Sequence, residues 1–396
     1  MRPDATSSPG GSPGTCTVLR VLSVPGTGGT EMRMAEVVPP LAQAGATTHL
    51  LPLGAESGSG PLLDVVVRNG GTITPIPLDL RFPARFLRLL RRMRPSVVHV
   101  DCANFSGVPL ALATLTGVPV RVAHFHGDDN LPRSRRRQAT RWIGHRLLRW
   151  SATDIIGVSP SSLDYGFAAT WRQDPRCRVV LNGLDLNRLL RPGPDDLREL
   201  IGAGPDDLVL LTVGRATPEK RRWLIPPIVA ELRDRGFGAH AVLVGAGDET
   251  DDGRVRRSAE AAGAADRVHL IGVRDDIGSL LGQADAVIHP SCLEGLPGSV
   301  LEAVAVGVGT VASDLPGVRL IAGELPGVAI VPVDAPAGQW ADSVLEAVRF
   351  TAAGGQRVAV DRFGESVFAL DAVVDTHLAM YRRRPGRDRR PARVGR

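Results

Sequence analysis

At 396 residues the chain exceeds one ordinary domain core, so two domains are expected. Its 43% hydrophobic and 22% charged content is that of a soluble globular protein, and the longest apolar runs, such as PLALATLTGVPV, are too short to span a bilayer. The net charge of +5 is local: the terminal stretch RRRPGRDRRPARVGR carries eight arginines against one aspartate, which leaves the rest of the chain slightly acidic.

The opening segment, MRPDATSSPGGSPGT, has no apolar core of a signal peptide and reads as a disordered lead-in over 1–15. A strand is expected over Val18–Val24, running into PGTGGTEMRMAE. Gly28 and Gly29 there let the backbone approach a ligand, and the following helix offers N–H groups suited to phosphate. The spacing is not that of a dinucleotide fingerprint, and an ordinary strand-to-helix turn reads equally well. Further strands are expected over Thr48–Leu53, Gly71–Pro75, Val97–Val100, Val120–Phe125 and Asp154–Val158, with helices such as PARFLRLLRRMR between them.

Two of these strands end in polar clusters. Asp101 and Asn104 follow one, and His124, His126, Asp128 and Asp129 close the other. The two histidines face one side of a strand, but no third ligand is evident in the sequence, so no metal is expected. Residues 16–190 form the expected first domain, and NRLLRPGPDDLRELIGAGPDD opens the second, 191–362. Its strands are expected over Leu208–Val213, Ala239–Val244, Arg267–Ile271, Ala286–His289, Gly309–Ala312 and Val328–Val331. Strands alternating with helices imply parallel sheets, here two Rossmann-like α/β domains facing a cleft. Residues 363–381 are expected to cross back to the first domain, and 382–396 form a basic disordered tail. The tail has the charge to touch anionic lipid, as weak peripheral membrane contact, and equally the composition of a solvated terminus. No nucleic-acid-binding motif accompanies it, so no nucleic-acid partner is expected. Four dispersed cysteines without a CxxC pair fit a reducing cytoplasm.

Two stretches carry the chemistry. VGRATPEKRR contains Lys220, the one lysine beside 46 arginines. A compact ammonium is not equivalent to a planar guanidinium, so a lysine kept in an arginine-rich chain is notable. HPSCLEGLPGSVLEAVAVG sets Glu294 in a loop and Glu302 on the second turn of a helix whose first N–H groups, at Gly298 and Ser299, suit an anion.

With GTGGTE, RVAHFHG, LNGLD, VGAGDE and IGVRDD in order, these stretches resemble the retaining GT-B glycosyltransferases of family 4, in their bacterial polysaccharide and natural-product branch. The resemblance covers Val18 to Tyr381. It implies that Arg215 and Lys220 hold the donor diphosphate and that Glu302 binds the nucleotide ribose. It implies that Glu294, with backbone N–H groups from Leu296 to Ser299, orients the sugar and phosphates. It sets His126, or His124 in the other register, near the sugar, with Gly28 and Gly29 on the phosphate side. No cofactor is implied, the nucleotide sugar being a substrate. Departures from the pattern are Arg221, where glycine is usual, Gly309, where proline is common, and no clear glutamate after SDLPG. The expected reaction moves a hexose from a UDP-linked donor to a hydroxyl. The expected acceptor is small and soluble, such as an aminoglycoside precursor whose amines would meet Asp101, Asp128 and Asp129. A lipid-linked glycan is the alternative, and a non-catalytic nucleotide-sugar-binding protein is the rival of a different class.

Overall fold

A computed structural model describes residues 16–383 apart from 24–27, 57, 59 and 128–134. The lead-in, Asp128, Asp129 and residues 384–396 of the tail therefore lie outside the described residues. The first sheet contains β1 (Cys16–Leu22), β2 (Ala46–Pro52), β3 (Val97–Val100), β4 (Val120–Phe125), β5 (Asp154–Gly157) and β6 (Cys177–Val179). The second contains β7 (Leu208–Val213), β8 (Ala239–Val244), β9 (Val268–Gly272), β10 (Ala286–His289), β11 (Thr310–Ser313) and β12 (Val328–Val331). All pairings are parallel, in the orders β2-β1-β3-β4-β5-β6 and β12-β11-β10-β7-β8-β9.

The cause is local. β3, β5, β8, β10 and β11 are buried along their whole length, which requires cover on both faces. Parallel neighbours need crossover connections, and the amphipathic helices between strands supply both connection and cover.

Gly71–Pro75 departs from the expected strand. It makes a single bridge, Leu50 to Ile73: Thr74 and Ile76 donate to the Leu50 and Pro52 carbonyls at 2.9 and 3.0 Å, but Pro52 has no N–H with which to extend the ladder. The sixth place in the first sheet belongs to β6, three residues long. Arg176 and Arg178 interrupt its apolar pattern, so periodicity did not mark it.

Each sheet has one point where its winding reverses, between β1 and β3 and between β7 and β10. A crevice opens at the carboxyl ends of the strands there. The chain crosses between the sheets twice. After β6 it enters the second domain, and after the helix Gly355–Gly364 it returns. The return helix is Leu370–Tyr381, shorter than the expected 363–381 because residues 363–364 finish the preceding helix. Its Val373, Leu378, Met380 and Tyr381 pack with Val18, Val37, Leu41 and Val97 of the first domain. The two crossings touch: Leu184 N donates to the Phe368 carbonyl at 3.1 Å.

Candidate active site

The second sheet's reversal point brings together the loops after β7 and β10, and with them the lone lysine and a glutamate. Lys220 Nζ donates to Glu294 Oε1 at 2.5 Å. His289, the last residue of β10, donates from Nε2 to the same oxygen at 3.0 Å, and its Nδ1 lies 3.1 Å from Ser299 Oγ. The Cys292 amide donates to the Glu219 carbonyl at 2.8 Å and joins the two loops. Burial alone would raise Glu294, but the His289 hydrogen bond and the Lys220 charge outweigh it and hold the carboxyl well below its usual range. Burial lowers His289, against the opposing pull of Glu294.

Glu302 lies on the helix Gly298–Ala305 and reaches the other domain. Its Oε1 accepts from Arg33 Nη2 at 2.6 Å and from Arg188 Nη2 at 3.1 Å. Arg33 sits on the first-domain helix Gly29–Gln43 and also pairs with Glu36 at 2.8 Å. Glu36 accepts from Arg188 Nε at 2.7 Å, which closes a four-residue ionic ring across the cleft. The domains also meet at Gly295, where a Cβ would lie 2.6 Å from the His126 carbonyl. Only glycine allows that approach.

The first sheet's reversal point holds a buried cluster. Asp101, after β3, takes two hydrogen bonds from Arg20 of β1, at 2.6 and 2.9 Å, and one from His126 Nε2 at 2.6 Å. His124 Nδ1 lies 3.3 Å from Asp101 and 3.1 Å from His99 Nε2, and His99 Nδ1 lies 2.8 Å from Tyr381 Oη on the return helix. Burial holds His99 and His124 well below the ordinary imidazole range, and His377 down to about 4. His99, Asp101 and His124 offer three ligand atoms within 4.8 Å of one another, a set that includes one histidine of the sequence pair and not His126. The Arg20 guanidinium holds both Asp101 oxygens, however, and would repel a cation there.

Lys220, Glu294 and Ser299 are thus brought together, with Gly298 opening the helix and Leu296 buried beneath it. Arg215 is exposed and forms no ion pair among the described residues. Gly28 caps the helix that starts at Gly29 and carries Arg33. His126 faces the cleft beside Gly295. Asp101 and His124 do not suit the expected acceptor role. The Asp101 side chain is 1% exposed and its oxygens are occupied, while His124 is buried against it. The sequence reading missed His289, Arg20, His99, Arg33, Glu36 and Arg188. For His289 a signal existed, a polar residue closing a buried strand directly before the glutamate loop.

Residues 27–188 fit the family model "Glycosyltransferase Family 4", and residues 207–349 fit "Glycosyl transferases group 1". The 2-deoxystreptamine N-acetyl-D-glucosaminyltransferase of Streptomyces fradiae is 31% identical over 249 residues, 58% of this chain and 58% of that protein. The Escherichia coli UDP-Gal:alpha-D-GlcNAc-diphosphoundecaprenol alpha-1,3-galactosyltransferase is 23% identical over 245 residues, 60% of this chain and 63% of that protein. The chain therefore spans less than two thirds of either relative's length. Anabaena Alr3699/HepE, solved in complex with UDP, superposes with a TM-score of 0.74 at 17% identity, covering 92% of this chain and 99% of that one. That likeness is one of fold.

Proposed function

Because the chain belongs to the group 1 and family 4 glycosyltransferases and has their two-sheet GT-B fold, we propose that it moves a hexose from a UDP-linked donor to a hydroxyl of a small soluble acceptor, with retention at the anomeric carbon. One observation carries this reading: the Lys220–Glu294–His289–Ser299 chain at the crevice of the second sheet. In this reading Lys220 and the exposed Arg215 take the donor diphosphate and stabilise the charge that grows on it as it departs. Glu294, kept ionised, accepts from sugar hydroxyls. Both arginines reach Oε1 of Glu302, which leaves Oε2 for the ribose diol. The bond from the acceptor oxygen to the anomeric carbon forms as the carbon–phosphate oxygen bond breaks. The acceptor proton passes to the departing phosphate, so no enzymatic nucleophile and no cofactor are invoked. The reaction belongs in the cytoplasm, where the four free cysteines stay reduced.

Calorimetry tests the division of roles. Glu302→Ala should weaken binding of free UDP, whereas Glu294→Ala should leave UDP nearly unchanged and weaken the UDP-sugar. Equal losses for both ligands in both variants would refute it.

The Streptomyces relative's name supports a small amine-bearing acceptor. A lipid-linked acceptor is the second reading, favoured by a specific surface. Trp142, Ile143 and Trp150 stand exposed on the arginine-rich helix Arg135–Ser151, and Leu80 and Leu115 are exposed on the same domain. Apolar side chains on a basic helix suit an anionic membrane surface. No helix among the described residues is long and apolar enough to cross a membrane. Full activity in lipid-free buffer on a soluble amine acceptor supports the first reading, and a strict need for vesicles supports the second.

A further inference from the structure

Asp101 sits where the first sheet reverses its winding, sealed from solvent and clamped by Arg20 from the neighbouring strand. Burial opposes its charge, but the Arg20 guanidinium outweighs burial and keeps the carboxyl ionised, well below its usual range. An ionised carboxylate only accepts hydrogen bonds. Its contact with His126 Nε2, at 2.6 Å, therefore puts the proton on that nitrogen. In a neutral imidazole the second nitrogen is then a bare acceptor. That nitrogen, Nδ1, is buried and has no partner among the described residues. His126 lines a cavity of about 20 Å³ shared with Thr30, Arg33 and Asn182, room for one oxygen-sized group. The His124 ring, its centroid 3.9 Å from that of His126, packs against it and restrains rotation.

We infer that Asp101 is a positioning residue: clamped by Arg20, it holds His126 in the Nε2–H tautomer, so that Nδ1 accepts a hydrogen bond from a substrate hydroxyl. The inference rests on the glycosyltransferase reading above. It gives Asp101 a task that needs no exposure, in contrast to the salt contact with an acceptor amine that its position in the sequence suggested.

Nitrogen-15 NMR of histidine-labelled protein at a pH about two units above the ordinary imidazole range tests it. His126, assigned by the signal lost in His126→Gln, should show a protonated Nε2 and a bare Nδ1. Asp101→Asn should reverse or mix that pattern. The amide has one oxygen, which Arg20 claims, and its NH₂ then faces His126 and needs an acceptor at Nε2. In the same variant kcat for transfer should fall on the order of 10²-fold, with donor KM within about twofold. If Asp101→Asn does not fold, His126→Asn and His126→Gln carry the test. The asparagine oxygen falls near the Nδ1 position, so that variant should keep roughly tenfold more kcat than the glutamine variant. A bare Nε2 in the wild type, wild-type kcat in Asp101→Asn, or equal activity of the two His126 variants overturns the inference. The spectrum needs no turnover. A chain with the expected tautomer that transferred no sugar would sink the enzymatic reading alone.

Discussion

Lys220, Arg221 and Arg222 are neighbours in sequence with three separate tasks. Lys220 turns into the site and holds Glu294. Arg222 turns into the core, 1% exposed, where its Nε donates to Asp251 at 2.7 Å and its Nη2 pairs with Asp252. Arg221 stands between them in the left-handed region, φ 50, while its Nη1 donates to the Val333 carbonyl at 2.8 Å. That backbone explains why glycine suits this place. Arg221→Ala loses the side-chain bond and keeps the strain, whereas Arg221→Gly loses the bond and relieves the strain. Urea unfolding should therefore find the glycine variant more stable than the alanine variant by about 1 kcal/mol. For Lys220 the geometry predicts that Arg does not restore transfer, since a rigid fork cannot replace an ammonium 2.5 Å from a buried carboxylate. Lys220→Ala should lose on the order of 10²-fold in kcat/KM, and unchanged turnover at saturating donor would remove the lysine from the mechanism. The lysine was legible because composition made it odd. Its histidine neighbour was passed over because His289 closes an apolar run and reads first as the end of a buried strand, although its place directly before the glutamate loop was a usable signal. Arg20 was hidden in the same way inside β1.

At the scale of elements, the second departure from the family pattern also has a cause. A Cβ on Gly309 would lie 2.1 Å from the Ala347 carbonyl of the helix Ala337–Ala352, and the Gly309 amide donates to Thr351 Oγ1 at 2.8 Å. Proline would meet the carbonyl and remove the donor. Gly309→Ala should cost about 1–3 kcal/mol, read as a lower urea midpoint. A midpoint equal to wild type would show that the helix can shift. Most strands were readable to within two residues because parallel strands covered on both faces are near-continuous apolar runs. Gly71–Pro75 and β6 failed for opposite reasons. The first looks like a strand and cannot complete a ladder. The second is too short and too charged to be seen, and its place is set by the neighbouring β5 rather than by its own pattern.

At the scale of the molecule, the ion pairs of Glu302 with Arg33 and Arg188 join the domains across the cleft, and such contacts have no signature in a single sequence. Arg33 and Glu302 are 269 positions apart. The buried histidines give the whole fold a pH dependence with a definite sign. His377 is lowered to about 4, against about 6.5 in an unfolded chain. Between those values the unfolded state binds the extra proton, so stability rises with pH through that window and is lost on acidification. His99 and His124, lowered by burial, act in the same direction, and the groups around them are Arg20, Asp101, His126 and Tyr381. Urea stability should therefore fall from pH 6.5 toward about 5, above the range in which carboxylates such as Glu294 contribute, and His377→Gln should flatten that slope. A flat profile down to pH 4.5 in the wild type would contradict it.

The return of the chain to the first domain also sets an order in time. The first sheet is complete at Val179, but the helix that covers Val18, Val37, Leu41 and Val97 begins at Leu370. At about 5–20 residues per second, synthesis reaches that helix roughly 10–40 s later. Throughout that interval the ribosome carries a first domain with an open apolar face and a His99 that lacks its tyrosine. A gene cut after residue 190 should yield an aggregating or protease-sensitive product. The same fragment fused through a flexible linker to 365–383 should fold, because what the fragment lacks is its last-made helix rather than the second domain.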